Sequence, residues 1–322
     1  MTALRMLPPG QQGVVAGLVA VAIWGAYLAL AQNGVAGGLT ASDLAAARYI
    51  PAGLVMLPWL LRHQPRQLAG IGWRRSAALT LFAGPLFILL GVGGYAFAPL
   101  SHGAVLQPAA VTLVTVAAAA LVFHERLQPV RLVGIAILFA GMMVIADPAA
   151  VIAGVSGQAA LGDGMFLAAG LCWAGFATVS RLWRVPPLAG TAVVAVLSAV
   201  IWTPVFLSGD GVARLAELPL STLLLQIGVQ GILSGVVAVL AFSTAVARLG
   251  PARAAVFPAL VPASAIVMGF VLVGEVPTER DITGLALVSL GLLLPAGWGR
   301  LSLGGRLLLP EQAALPVRAR KR

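Results

Sequence analysis

The 322-residue chain is 60% hydrophobic and only 9% charged, with a mean hydropathy of +1.00; an average soluble domain is about 25% charged, so this apolar surface is suited to lipid. A net charge of +10 and a sequence pI ≈ 11.4 do not indicate nucleic acid as a partner, because the basic residues sit in short loops and a tail between hydrophobic runs. The single cysteine, Cys172, excludes an internal disulfide and a cysteine-rich metal site.

A helix needs roughly 20 apolar residues to cross the hydrocarbon. In chain order the qualifying windows are 13–32, 43–61, 76–98, 103–123, 130–147, 162–183, 188–207, 221–247, 254–274 and 282–299. Proline, glycine or charge marks the loops between them, as at Gly37-Gly38, Pro65-Arg66, Pro99, Pro129, Pro186-Pro187, Gly250-Pro251 and Pro277. Basic residues are retained on the cytoplasmic side. With the N-terminus inside, seventeen fall on inner segments and only Arg214 and Arg280 on outer ones, with Arg48 inside a span. That bias predicts an even number of spans and both termini in the cytoplasm.

The second half repeats the first. Pro108, Glu125, Gly134 and Gly141 recur 150 residues later as Pro258, Glu275, Gly284 and Gly291, and Trp24-Gly25-Ala26-Tyr27 answers Trp173-Ala174-Gly175-Phe176. Ten spans over two copies give five each, an odd number, so the copies face opposite ways. The predicted fold is an all-α integral membrane protein of ten transmembrane helices arranged as two inverted five-helix repeats. Its parts are an N-terminal tail (1–12), a first repeat (13–147), an outer linker (148–161), a second repeat (162–299) and a basic C-terminal tail (300–322). Ala29-Leu30-Ala31 has the look of a signal-peptidase site. The apolar run before it is longer than a signal core, and it carries a repeat motif, so retention as the first span is expected.

Several of these residues form a recognisable pattern: Ala22-Ile23-Trp24-Gly25 in the first span and Ala45-Ala46-Ala47-Arg48-Tyr49 opening the second. The fourth has a proline near its start and ends in Phe123-His124-Glu125-Arg126-Leu127; the second copy of that end reads Val273-Gly274-Glu275-Val276. In order, spacing and doubling they resemble the EamA-like family of the drug/metabolite transporter superfamily, over about residues 13–298. His124 stands where the family usually has glycine, and the second copy lacks the arginine after the glutamate. The resemblance implies transport of small metabolites across the inner membrane, very often export, with amino acids and their derivatives, other metabolites and toxic cations among family substrates.

Intramembrane polar groups tend to face a bundle interior or a watery cavity. Gln226, Gln230 and Ser234 share one face of the eighth span at i, i+4 and i+8. They offer donors and acceptors without net charge, either to an uncharged or zwitterionic solute or to a neighbouring helix. Gln107 precedes Pro108, and Phe257 precedes Pro258; each proline frees a backbone carbonyl and permits a kink, read as a gate or a site against a simple packing bend. Trp24, Tyr27, Leu28 and Ala31 form a stripe whose counterpart is Trp173, Phe176, Ala177 and Ser180. Such walls either stack on a solute, a cation included, or pack the core. Tyr95, after Gly93-Gly94, is a similar candidate. Arg48 lies about five residues in from the outer edge, roughly 8 Å at the helical rise. It either binds a substrate carboxylate, pairs with an outer acid, or snorkels to headgroups. Glu125 and Glu275 end their helices at opposite faces, where structural pairs are expected: Glu125 with Arg126 or Arg131, and Glu275 with Arg280.

No acid lies at mid-membrane, so facilitated transport or exchange is expected rather than a carboxylate proton relay. His63, His102 and His124 sit at loop edges, with no convergent constellation for a membrane enzyme, metal or cofactor. The expected function is an inner-membrane secondary transporter, monomeric in the bilayer, moving a small amino-acid- or amine-like metabolite, neutral, zwitterionic or cationic, by alternating access. A passive small-solute channel and a non-transporting receptor or scaffold are the alternatives.

Overall fold

A computed structural model describes residues 8–125, 128–147, 157–254 and 256–302. Most of the 1–12 tail, Arg126, most of the outer linker and nearly all of the basic tail lie outside them. Among the described residues, nine helical segments are long and apolar enough to cross a membrane. They are α1 (Pro9–Ala36), α2 (Ala41–Arg62), α3 (Trp73–Ala96), α4 (Leu100–Leu121), α5 (Pro129–Ala146), α6 (Gly157–Leu182), α7 (Pro187–Leu207), α8 (Leu220–Leu249) and α9 (Val256–Val273). A tenth, α10 (Glu279–Ser302), packs along α5 and completes the second set of five. The termini are set by ordinary helix chemistry. Pro9, Pro129 and Pro187 open helices at a position whose N–H has no helical acceptor anyway. Thr40 and Asp43 form a reciprocal capping box at the start of α2.

The helix contacts are symmetric under exchange of the halves. α2 packs on α7 and α5 on α10, each on its own counterpart. The α1 contacts with α9 and α8 are answered by α6 with α4 and α3. Five helices per half make the two copies antiparallel, so the fold is the expected pair of inverted repeats.

Small residues bring these helices together, as packing without a hydrophobic drive between helices requires. The repeated glycines form the α5–α10 seam. A Cβ on Gly291 would stand 2.6 Å from the Gly134 carbonyl oxygen and 2.7 Å from Leu138 N, and one on Gly141 would stand 2.9 Å from the Gly284 oxygen. In the α2–α7 seam, a Cβ on Gly53 would meet Ala199 Cβ at 2.5 Å.

The third helix of each copy departs from regular winding, which the apolar windows did not show. α3 breaks between Ala83 and Pro85, because Pro85 supplies no N–H. The buried Tyr49 hydroxyl crosses from α2 to repair the break, placed 2.7 Å from the Ala83 oxygen and 2.9 Å from the Gly84 oxygen. Its single proton can serve the Ala83 carbonyl, while the Gly84 oxygen also accepts from the Phe87 N–H at 3.0 Å. Tyr49→Phe should therefore cost about 1–3 kcal/mol of stability, read as a lower Tm in detergent; an unchanged Tm would show that the carbonyls are satisfied otherwise. In α8 the irregularity is a π-helical stretch, Ile227–Val237.

The two helix ends carrying the glutamates differ in one respect. Gly274 sits at φ 78°, while His124, its counterpart, is held at φ 53°. That left-handed backbone favours glycine, so His124, where the second copy has Gly274, falls at a strained position.

Candidate functional site

A cavity of about 2010 Å³ lies between the two repeats. Its mouth is lined by Gly10, Gln128, Arg131, Pro186 and Arg253, all from the arginine-rich face. Towards the other end it is bounded by Tyr27, Arg48, Gly103, Gln107 and Ser234, and among the described residues no loop of the opposite, acidic face lines it. The apolar walls come from both halves. Trp24 meets Phe242 with ring centroids 5.6 Å apart, and Trp173 meets Phe87 at 5.1 Å and Phe176 at 5.2 Å.

Most sequence-derived candidates gather here. Trp24, Tyr27, Trp173, Gln107, Arg48, Ser234, Pro108 and Pro258 all line the cavity. The second aromatic stripe is exposed along its whole length, through Phe176, Ala177 and Ser180, whereas Ala31 of the first is not part of the lining. Gln107 turns its amide oxygen towards Gly91 of α3. Pro108 interrupts α4 internally; Pro258 stands in the first described turn of α9, where Pro262 is the interior proline.

Gln226 and Gln230 are placed elsewhere. Both are buried, Gln226 Nε2 donates to the Leu30 carbonyl at 2.9 Å, and Gln230 Nε2 donates to Gln226 Oε1 at 3.1 Å. They join α8 to α1 and do not line the cavity, so of the polar stripe only Ser234 faces it. The reason is the Leu30 carbonyl within reach: a buried carboxamide takes a backbone partner across a helix contact when one is available. Tyr95 also lies outside the lining, directly behind Gly103, whose added Cβ would meet the Tyr95 hydroxyl at 2.6 Å. That hydroxyl is buried with no hydrogen-bond partner.

Among the described residues Arg48 pairs with no outer acid, and it turns inward to the cavity. Its Nη1 donates to Ser234 Oγ at 3.0 Å, and its Cζ lies 4.9 Å from the Tyr27 ring centre and 5.9 Å from that of Tyr49.

The acidic face is fastened by polar ties that each join one repeat to the other. Asp43 pairs with Arg214 at 2.9 Å, and His102 Nδ1 lies 2.6 Å from Asp163 Oδ1. Asp147 pairs with Arg280, and Glu275 accepts from the Leu100 N–H at 3.3 Å. At the arginine-rich face the described ion pair between repeats is Glu125 with Arg181. Glu275 thus meets a backbone N–H of the opposite repeat rather than Arg280, and Glu125 meets Arg181 with Arg131 nearby, while its other expected partner, Arg126, lies outside the described residues. The His102–Asp163 pair carried no local sequence signal, since its members are 61 residues apart.

Burial raises the Glu275 carboxyl above its ordinary value, against the Leu100 N–H, while Asp281 adds to the rise. A carboxyl so raised is destabilising when ionised, so its cost grows as pH rises above about 4.5. Glu275→Gln should melt above the wild type at pH 7 and converge with it near pH 4.5. A variant that melts lower at pH 7 would contradict this.

A protein-family model, that of the EamA-like transporter family, matches residues 11–146 and 160–296, one match to each repeat. The chain belongs to the EamA-like transporter family. It is therefore a membrane transporter of the drug/metabolite superfamily, and the cavity lies between the two EamA repeats. A solved structure described only as the crystal structure of a protein aligns with a TM-score of 0.56 at 18% identity, over 90% of this chain and 99% of the other. That likeness speaks to fold alone. No curated protein matches the chain significantly.

Proposed function

We propose that this EamA-like transporter is a secondary carrier that moves a small metabolite by alternating access, in a conformation open to the arginine-rich face. The observation that carries this reading is the one-sided cavity. It runs from the arginine-rich mouth to Arg48, Gly103 and Ser234, and beyond them lie the inter-repeat ties of the acidic face. Two inverted copies around one site are suited to exchanging that asymmetry. By the positive-inside rule the open face is cytoplasmic, with both termini, in a bacterial inner membrane. Loading from that side suits export, in keeping with the family. The acid among the lining residues is Glu125, at the mouth and paired with Arg181, so facilitated transport or exchange is favoured over a mid-membrane proton relay.

The test is counterflow in proteoliposomes preloaded with a candidate solute. A carrier gives saturable uptake of labelled solute that is accelerated by the internal load. Uptake that is linear in concentration and indifferent to the load would mark a channel instead.

A further inference from the structure

The inner limit of the cavity holds a guanidinium with no carboxylate to meet. Among the described residues no aspartate or glutamate lies within ion-pair distance of Arg48. Asp43, the acid on the same helix, is occupied by Arg214 and by its capping box with Thr40. Leaving a cation in apolar surroundings is costly unless an anion joins it. The Tyr27 and Tyr49 rings supply part of the compensation, and Ser234 takes one N–H. The guanidinium has five donors in a planar fork that matches a carboxylate.

The rest of the cavity decides what that carboxylate is attached to. Its walls are mainly apolar and aromatic, with Trp24, Phe242, Trp173 and Phe176 facing it from both repeats. Its other charged lining groups are Arg131, Arg253 and Glu125, and Glu125 is held by Arg181. Cations therefore outnumber free anions along the path, which attracts an anionic group and disfavours a purely cationic solute. One guanidinium, with no second cation described beside it, matches a monoanion better than a phosphate dianion.

We infer that the cavity takes a carboxylate-bearing solute with an apolar or aromatic body, its carboxylate on Arg48. A zwitterion and a simple monocarboxylate both satisfy this; an amine without a carboxylate does not. The assignment rests on the carrier reading only in taking this cavity for the transport site.

Three probes of one shape separate the possibilities: 3-phenylpropionate, its amide and phenethylamine, each titrated against the purified full-length protein by quenching of tryptophan fluorescence. The carboxylate should bind the wild type at least about 30-fold more tightly than either other probe, and Arg48→Gln should remove that preference, as expected for loss of one partner of a buried charge pair. Arg48→Lys should retain part of it. Equal or tighter binding of phenethylamine, no binding of the carboxylate, or undiminished carboxylate affinity in a folded Arg48→Gln protein would overturn the assignment. The comparison of probes on the wild type needs no variant, so misfolding of Arg48→Gln does not remove the test. Carboxylate binding through Arg48 without counterflow would keep the site and reject the carrier. Counterflow of a solute that ignores Arg48→Gln would do the reverse.

Discussion

Gly291→Leu should prevent the two repeats from closing along α5 and α10, with a loss of more than about 3 kcal/mol. The neighbours of Gly291 are backbone: a Cβ there would stand 2.6 Å from the Gly134 oxygen and 2.7 Å from Leu138 N. Backbone inside a packed helix pair cannot swing aside as a flexible side chain does, so the helices must separate. Separation exposes Val288 and Leu138, both fully buried, and loses close contacts that are the main source of helix association in lipid. Thermal unfolding in detergent reads the effect. Gly209→Ala is the control, since nothing lies within 4 Å of a Cβ placed there, and it should shift stability by no more than about 0.5 kcal/mol. Equal behaviour of the two variants would mean that α5 and α10 do not meet at Gly291.

The second large effect is expected at the acidic face. Asp163→Ala should unfasten it while leaving the helices folded. Of the side-chain pairs there, His102 with Asp163 is the one in which both side chains are largely buried, at 15% and 9% exposure. Its loss removes a hydrogen bond to a charged group, worth about 1.5–3 kcal/mol, from the closed conformation only. A change of that size shifts a two-state equilibrium roughly 10- to 100-fold. Ser101, buried beside His102, reports it. On a Cys172→Ala background, a cysteine at 101 should react with a membrane-impermeant maleimide from the acidic face about 10- to 100-fold faster when Asp163 is alanine. An unchanged rate would show that the pair does not help to keep that face closed.

What was legible in the sequence follows from which residues constrain the backbone. Gly134, Gly141, Gly284 and Gly291 announced the repeat because only a bare Cα permits that approach, and the same glycines form the α5–α10 contact. The arginines announced the two faces because charge is excluded from the hydrocarbon. The aromatic stripes led to the cavity because both copies retain them at helical spacing, and Trp24, Tyr27, Trp173 and Phe176 line it.

The placement of Gln226 and Gln230 was not legible. Spacing of i and i+4 says that two side chains share a face, and it is silent on whether that face meets water or another helix. The Leu30 carbonyl that settles the matter is 196 residues from Gln226. The same holds for His102 with Asp163 and for Asp43 with Arg214, whose partners are set by how the repeats dock. The break in α3 did have a signal in Gly84-Pro85, which a count of apolar residues passes over.

If the acidic face must open in each cycle, fastening it shut should stop transport. The most direct measurement is flux through a His102→Cys/Asp163→Cys protein on the Cys172→Ala background in proteoliposomes, reduced and then oxidised, with disulfide formation checked by thiol titration. Alternating access predicts flux in the reduced protein, none when the disulfide joins α4 to α6, and recovery on reduction. Undiminished flux through the fully oxidised protein would contradict it, since solute would then be crossing without that face ever opening.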